Sequence, residues 1–211
     1  MSFRGPIEDG EWVEAWTARV VKPGPAPRVR GYDLDGDLAL HYGWSERTFL
    51  THRGRLPSPE ESRDFERSLA FVSAASVDEG PTAAASIARL AGARPAGFVV
   101  SVISVLAEEA QSLVVEGASG EGPLFSPSRV KGFLAGLSEE RRAVIEEESR
   151  LPVAVRRCWE ALGFTKPEAW VELWCLSRLP AVLAEAFAVR PGSFRQVPMR
   201  TPDFEYQEME A

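Results

Sequence analysis

The residue types able to do chemistry are few in this chain, and their spacing matches no common catalytic motif. Only two histidines occur, His41 and His52, and both fall in segments patterned as surfaces of early helices. The cysteines Cys158 and Cys175 are not spaced like metal ligands, which predicts buried, reduced thiols. Without a Ser-centred elbow, a Cys/His pair or a metal-ligating cluster, the sequence predicts no metal site and no self-evident nucleophile.

The adjacent acids Asp78 and Glu79, in the stretch SVDEGPT, leave two interpretations open. The sharper hypothesis is an acid/base pair, although neighbouring residues on a helix or turn seldom face the same way. The plainer hypothesis makes Glu79 a solvated acid near the N-terminus of a helix that begins at Thr82, where the helix dipole favours negative charge. The glycine-rich stretch EGASGEGP lacks the Gly-Lys-Ser/Thr ending of a phosphate loop, so we expect a plain loop there.

Bulk composition predicts a globular protein of acidic character. The 211 residues are 45% hydrophobic and 26% charged, which is enough for a substantial core with little disorder. The net charge of −7 disfavours nucleic acid as a partner, because phosphate binding needs a concentrated basic surface. The apolar runs look too short to span a bilayer and the N-terminus lacks a signal pattern, which predicts no membrane partner and a cytoplasmic location.

The elements that must position these residues are mainly helical. The stretches WTARVV and RVRGYDL, joined by KPGPAP, predict a short β-hairpin between Trp12 and Leu34. Two helices are predicted after the caps Ser45 and Ser58. Further helices are predicted over residues 82–91, 97–115, 138–149, 153–163 and 166–187, the last kinked or split at Pro180, and the tail from Arg190 to Ala211 is expected to be extended. For residues 97–115, a valine-rich buried strand is the competing interpretation.

Several stretches, in order along the chain, resemble the citrate synthase superfamily, especially its short citrate-synthase-like and citryl-CoA lyase-like branch. The stretch FLTHRGRLPSPEES resembles the family signature LLTGRLPSPEEA, and SVDEGPTAAASIARLAGA resembles SVDHGPTPPSALAARLAAS. RVKGFLA is similar to the family's RVPGFGH, and RLPVAVR to its RLPVNVD. The resemblance implies an all-α, citrate-synthase-like helical fold with a short N-terminal β-hairpin, assembled as an obligate dimer.

The same resemblance implies how the chain is divided into domains. Residues 1–119 would form the hairpin and the first part of the large helical domain, and residues 151–211 its second part and tail. Residues 120–150 would form a reduced version of the small, CoA-binding domain. Because that segment is short for the family, no cofactor is expected, and the family's CoA thioester has little to hold it.

The family's catalytic histidines and its aspartate base are replaced in this chain. The histidine of the Asp-His-Gly motif falls on Glu79, and the aspartate base falls on Arg156. Two further histidine positions fall on Ala135 and Glu185. We therefore expect Glu79 and Arg156 to face one former cleft and to pair as an internal salt bridge.

One anion-binding position of the family is retained. Arg178, in LSRLP, matches the arginine that grips a substrate carboxylate, while Arg195 and Arg200 lie close to the family's terminal arginine. These three arginines are the candidate substrate-binding residues. The plainer interpretation of Arg178 is a structural residue that caps or bridges helices.

The substitutions favour a degenerate citrate-synthase-like protein without the His/Asp condensation machinery. Such a protein would act as a non-catalytic partner in a homodimer, or in a heterodimer with a citrate-synthase-like paralogue, or would bind a small carboxylate. The apolar helix at residues 97–115 suits a core or a subunit interface. The alternative is a repurposed enzyme acting on a carboxylate or acyl thioester with the working groups Asp78, Glu79, Arg156 and Arg178. Inherited citrate synthase or citryl-CoA lyase activity is the least favoured, because unaligned residues would have to recreate every lost role.

Overall fold

The protein is described by a computed structural model over residues 17–120 and 125–191. Within them the chain clusters into two compact units, Met1–Pro57 and Ser58–Ala211. The family-based division at residues 119 and 150 concerns a different kind of boundary and stays a prediction. The start of the predicted hairpin and the predicted extended tail beyond residue 191 lie outside the described residues.

The predicted hairpin is a three-stranded antiparallel sheet with strands β1 (Val21–Lys22), β2 (Arg28–Val29) and β3 (Tyr32–Asp33). The second predicted strand turns back on itself at Arg30 and Gly31, which have φ values of 52° and 91°. Positive φ at both central residues is the geometry of the two-residue turn that matches the twist of paired strands. The hairpin position is therefore confirmed, and the strand number is corrected from two to three.

The rest of the first unit is helical. A π-helical segment, Leu34–Leu38, leads into the short α1 (Ala39–His41), and α2 spans Trp44–Arg53. The predicted cap of α2 is wrong by two residues: the N-cap is Gly43, whose N–H donates to the Glu46 carboxylate at 2.8 Å. Glu46 performs the capping from the third helical position, so the serine at position 45 is not needed as a cap.

The second unit is built from seven further helices among the described residues. They are α3 (Pro59–Val72), α4 (Gly80–Leu90), α5 (Pro95–Ala110), α6 (Pro127–Ala135), α7 (Glu139–Ile145), α8 (Leu151–Ala161) and α9 (Pro167–Ala188). All except α7 carry proline in the first two positions, where its missing N–H costs nothing. The predicted cap of α3 is confirmed, since Ser58 Oγ accepts from the Glu61 N–H and the Glu61 carboxylate accepts from the Ser58 N–H.

Helices α4, α5 and α9 enclose one apolar cluster of the second unit. Its fully buried members come from all three helices: Ala85, Phe98, Val102, Leu106, Val182 and Ala186. The helix prediction for residues 97–115 is confirmed, and the strand alternative is wrong, although the last turn, Gln111–Val115, is π-helical. Helix α9 runs through Pro180 as one element, so of the two predicted alternatives, a kink or a split, the split is wrong.

One described segment, Pro95–Val115, is long and apolar enough to cross a membrane by length and composition. The expectation that every apolar run is too short is therefore wrong. Core helices of soluble proteins pass the same test, so length and composition alone do not place this segment in a membrane.

Candidate functional site

Arg178 is the centre of the candidate site. It lies on α9 and is only 1% exposed. Its Nη1 donates to the carbonyls of Ala74 at 2.8 Å and Val72 at 3.2 Å, at the C-terminal end of α3. Its Nη2 donates to the Glu79 carboxylate, and its Nε lies 3.0 Å from Glu109 Oε2. A buried guanidinium needs several such partners; here both Nη atoms donate hydrogen bonds, whereas Nε makes an ion-pair contact with Glu109 without a hydrogen bond.

Glu79 faces Arg178 from the N-terminus of α4. The helix begins at Gly80 rather than at Thr82, and Glu79 is its N-cap residue with extended backbone angles. Its carboxylate makes no capping hydrogen bond and pairs with Arg178 instead, with its side chain 14% exposed. The plainer prediction was right about the helix terminus and wrong about a solvated carboxylate.

Glu109 of α5 is the residue that sequence reasoning missed. Its Oε2 accepts a hydrogen bond from Trp174 Nε1 at 2.7 Å and faces Arg178. Burial raises the pKa of the Glu109 carboxyl, while the charge of Arg178 and the Trp174 hydrogen bond partly offset that rise. A signal existed, because Glu109 continues the buried stripe of Phe98, Val102 and Leu106 at helical spacing.

A cleft of about 500 Å³ opens beside this network. Its lining combines acids, serines and two apolar side chains: Ser76, Asp78, Glu79, Gly80, Glu109, Ser112, Leu113, Ser119, Gly120 and Phe125. Three carboxylates therefore line the cleft, and within the described ranges no lysine, arginine or histidine does. The nearest positive charge described, that of Arg178, is buried and shared between two of those carboxylates.

Asp78 lines the same cleft as Glu79, although adjacent residues seldom face the same way. Ser76 Oγ donates a hydrogen bond to the Asp78 carboxylate, and this bond is the main cause of the lowered pKa of Asp78. Asp78 is exposed and makes no ion pair among the described residues. It therefore adds an ionised carboxylate to the rim of the cleft at neutral pH.

Arg156 does not pair with Glu79, which corrects the predicted internal salt bridge. Its Nη1 donates to the carbonyls of Val114 at 2.9 Å and Val115 at 3.0 Å, and its Nε lies 3.5 Å from Glu160. Arg156 thus satisfies carbonyls of the π-helical turn, which have no partner within that turn. The cation that neutralises Glu79 is Arg178.

The other predicted positions lie apart from the cleft. Ala135 and Glu185 are exposed and do not line it, and Arg195 and Arg200 lie outside the described residues. The cysteines are free thiols whose pKa values burial raises, to about 12 for Cys158 and about 11 for Cys175. Cys158 is buried as predicted, whereas Cys175 is only half-buried.

Comparisons with known proteins rest on structure rather than on sequence. No protein-family model matches the sequence, and a search of curated proteins gives no significant match. The solved structure of citryl-CoA lyase from Hydrogenobacter thermophilus is similar, with a TM-score of 0.66 at 16% identity over 93% of this chain and 96% of that chain. This chain has a citrate-synthase-like fold.

The structural similarity establishes the citrate-synthase-like fold. At 16% identity it does not establish the activity, which has to be argued from the site itself. The predicted fold class is thereby confirmed, including the helices and the small N-terminal sheet. Within this fold, the described cleft presents Asp78, Glu79 and Glu109, with Arg178 held behind them. No group of three His, Cys, Asp or Glu side chains in the described part of the chain has the arrangement of a metal site.

Proposed function

We propose that this protein is a non-catalytic member of the citrate-synthase-like fold class that acts as a partner in a dimer. The observation that carries the proposal is the network around Arg178. The guanidinium that would grip a substrate carboxylate already binds Glu79, Glu109 and two backbone carbonyls. The cleft is lined by the protein's own carboxylates where a substrate would place its own.

Electrostatics make the cleft unfavourable for a dicarboxylate such as oxaloacetate. A substrate carboxylate about 4 Å from an ionised acid is repelled by about 1 to 4 kcal/mol, depending on the local dielectric. Asp78 and Glu79 both present such charge to the cleft, and the positive charge of Arg178 is opposed by Glu79 and Glu109. Each kcal/mol of repulsion lowers affinity about fivefold, so the combined effect excludes useful binding.

A small-anion site at Arg178 receives less support than a dimeric role. Binding an external carboxylate there would require displacing Glu79 or Glu109, and either displacement would leave a carboxylate without its cation. The nearby Arg129 lies within electrostatic range of Glu79 and Arg178, and its Nη2 donates to the Phe71 carbonyl at 2.6 Å, so it too is engaged by the protein's own groups.

Two enzyme assays on the full chain test whether the protein lacks citrate synthase and citryl-CoA lyase activity. Thiol release from acetyl-CoA with oxaloacetate measures synthesis, and oxaloacetate release from citryl-CoA measures cleavage. We expect neither product above the uncatalysed rate, because no histidine lines the described cleft and its carboxylates are either paired with Arg178 or exposed at the rim. A single Glu79→His replacement should not restore turnover, since Arg178 would still face Glu109. Turnover by the unmodified protein that Glu109→Gln abolishes would refute the proposal.

The dimeric role is supported by an apolar surface on α4, α5 and α9. On α5, Val100 is 64% exposed and Ile103 is 41% exposed, and they lie on one side of the helix beside exposed small residues. Ile87 of α4 and Phe187 of α9 are also more than half exposed. Large apolar side chains exposed on three helices are candidate contacts for association, and an interface core resembles a domain core cut in half.

Sedimentation analysis of charged variants tests this surface. Val100→Asp should convert the dimer to a monomer at micromolar concentration, because it buries an unpaired carboxylate in the interface. The matched control is Val144→Asp on α7, where the valine is 58% exposed and far from the apolar surface in sequence. A monomeric unmodified protein would contradict the proposal, as would equal effects of the two variants. Flotation with lipid vesicles, without a dimer in solution, would assign the apolar surface to a membrane instead.

A repurposed enzyme is the second candidate, and Glu109 is the observation that favours it. A half-buried carboxylate with a raised pKa beside an arginine is typical of a general base. Because the cleft disfavours carboxylate substrates, the electrically neutral end of an acyl thioester fits it better. Thiol release from acetyl-CoA alone, lost in Glu109→Gln and kept in Glu108→Gln, would support this candidate over the first.

A further inference from the structure

The first unit carries a groove of about 400 Å³ on its small β-sheet. The groove is lined by the ends and turns of the three strands: Ala18, Arg19, Val20, Val21, Lys22, Pro23, Arg28, Arg30 and Gly31. Four of these side chains are cationic, and none of the acids in the described part of the chain lines the groove. We call this feature the basic groove.

Positive charge is concentrated here in a chain whose net charge is −7. The stretch from Thr17 to Tyr32 contains four basic residues and no acid. Lys22 on β1 stands directly opposite Arg28 on β2 in the strand register. Like charges directly opposite each other destabilise a pair of strands, so the arrangement costs folding free energy unless an anion offsets it.

The nearest acid in the described strands, Asp33, offsets only Arg28 in the register and does not line the groove. Asp33 on β3 is the register partner of Arg28 on its other side. Its carboxylate, however, accepts a hydrogen bond from the Gly36 N–H at 2.6 Å and begins the following π-helical segment. Arg28 Nη1 donates instead to the Gly31 carbonyl at 3.0 Å.

Two of the four cations are fixed in place and two are unengaged. Arg30 donates twice to the Thr51 carbonyl, at 3.1 and 2.9 Å, and Arg28 is held by the turn that it spans. Among the described residues, the side chains of Arg19 and Lys22 donate no hydrogen bond and form no ion pair. The groove therefore combines preorganised guanidinium groups with free charged donors, which is the composition of an anion site.

We propose that the basic groove binds a small oligophosphate, a ligand with two or more linked phosphate groups. Guanidinium groups match phosphate oxygens in paired hydrogen bonds, and Lys22 adds a compact charge. Four cations match the three to four negative charges that a linear triphosphate carries near neutral pH. The volume lies within the range of small-molecule sites and is too small for a folded partner. The proposal is independent of what the acidic cleft does.

Isothermal titration of the full chain with tripolyphosphate, ATP and inorganic phosphate tests the groove. We expect tripolyphosphate to bind at least tenfold more tightly than inorganic phosphate. Lys22→Gln should weaken tripolyphosphate binding about tenfold, the loss expected for one charge-assisted hydrogen bond, and Lys22→Arg should largely restore it. Lys22 is exposed, so these variants should fold normally.

The matched control is Lys131→Gln on α6, an exposed lysine outside the groove. Equal weakening by Lys131→Gln and Lys22→Gln would mean diffuse attraction and would overturn the proposal, as would equal affinity for tripolyphosphate and inorganic phosphate. Tighter binding of a polyglutamate peptide than of tripolyphosphate would also overturn it. If ATP binds more tightly than tripolyphosphate, the phosphates of the ligand belong to a nucleotide. If the two bind with equal affinity, the ligand is an inorganic oligophosphate.

Discussion

Two buried arginines of the second unit, Arg178 and Arg141, form ion pairs of different kinds. Arg141 on α7 pairs one-to-one with Asp64 of α3 at 2.9 Å. Ser138 completes that cluster, since its N–H and Oγ both donate to the Asp64 carboxylate. Arg178 instead faces two carboxylates, Glu79 and Glu109, and its network borders the cleft.

Under the proposed function, this difference separates a structural cross-link from a site whose arginine is bound by the protein's own carboxylates. The Asp64–Arg141 pair balances its charge, and neither residue lines the cleft beside Arg178, so packing of α3 against α7 accounts for it. The Arg178 guanidinium contacts two carboxylates, lies within electrostatic range of Arg129, and borders about 500 Å³ of open volume. Under the proposed function, these carboxylates stand where a substrate carboxylate would bind.

The largest expected effect comes from Arg178→Met. The replacement removes the guanidinium that contacts both Glu79 and Glu109, and it leaves the carbonyls of Val72 and Ala74 without their donor. We expect the free energy of unfolding, measured with urea, to fall by about 3 to 5 kcal/mol. The exposed Arg94→Met is the control and should change it by less than about 0.5 kcal/mol.

Arg141→Met should be less damaging. Asp64 would keep both hydrogen bonds from Ser138, so only one carboxylate would lose its cation. We expect a loss of about 3 kcal/mol, at the lower end of the range for broken buried pairs. Equal losses in the two arginine variants would show that the second carboxylate at Arg178 adds nothing to the cost.

The pH dependence of stability should have opposite signs for a carboxyl group with a raised pKa, Glu109, and one with a lowered pKa, Glu148. Burial raises the pKa of Glu109 above its ordinary 4.5, so its contribution to stability is present below that value and is lost as pH rises through the raised pKa. Hydrogen bonds from Arg150 lower the pKa of Glu148, so its contribution is present above 4.5 and is lost as pH falls. The free energy of unfolding of Glu109→Gln, measured with urea, should therefore increase relative to that of the unmodified protein as pH rises. The free energy of unfolding of Glu148→Gln should decrease relative to that of the unmodified protein over the same pH range. Changes of the same sign in the two variants would contradict the assignment.

The smallest expected effect is at Thr82, in the first turn of α4 next to Glu79. Its hydroxyl is fully buried and has no hydrogen-bond partner within the described residues. Thr82→Val removes that unsatisfied group at nearly constant volume and should raise the free energy of unfolding by up to about 1 kcal/mol. A loss of more than 1 kcal/mol would mean that the hydroxyl has a partner, such as a bound water.

Local features of the fold could be predicted from the sequence because they depend on nearby residues. The capping box of Ser58 and Glu61 and the hairpin around residues 23–27 are set within a few positions. The extra strand was missed because its turn uses Arg30 at positive φ, which a non-glycine residue rarely adopts. The helix α6 was missed because residues 127–135 are few and carry a mid-helix glycine.

The partners within the candidate site could not be predicted, because they depend on how distant helices pack. Arg178 and Glu79 are 99 positions apart, and nothing near either residue specifies the other. A choice between Arg156 and Arg178 as the partner of Glu79 requires the positions of α8 and α9. The buried acid Glu109 was the one local clue, since a carboxylate on an apolar helix stripe demands a cation.

Binding of oxaloacetate, measured by isothermal titration, tests the central claim most directly, because it asks whether Arg178 is available to a substrate. We predict no binding at millimolar oxaloacetate to the unmodified protein, since Glu79 and Glu109 already occupy the guanidinium. Micromolar binding that Arg178→Lys abolishes and Arg94→Lys leaves intact would contradict it.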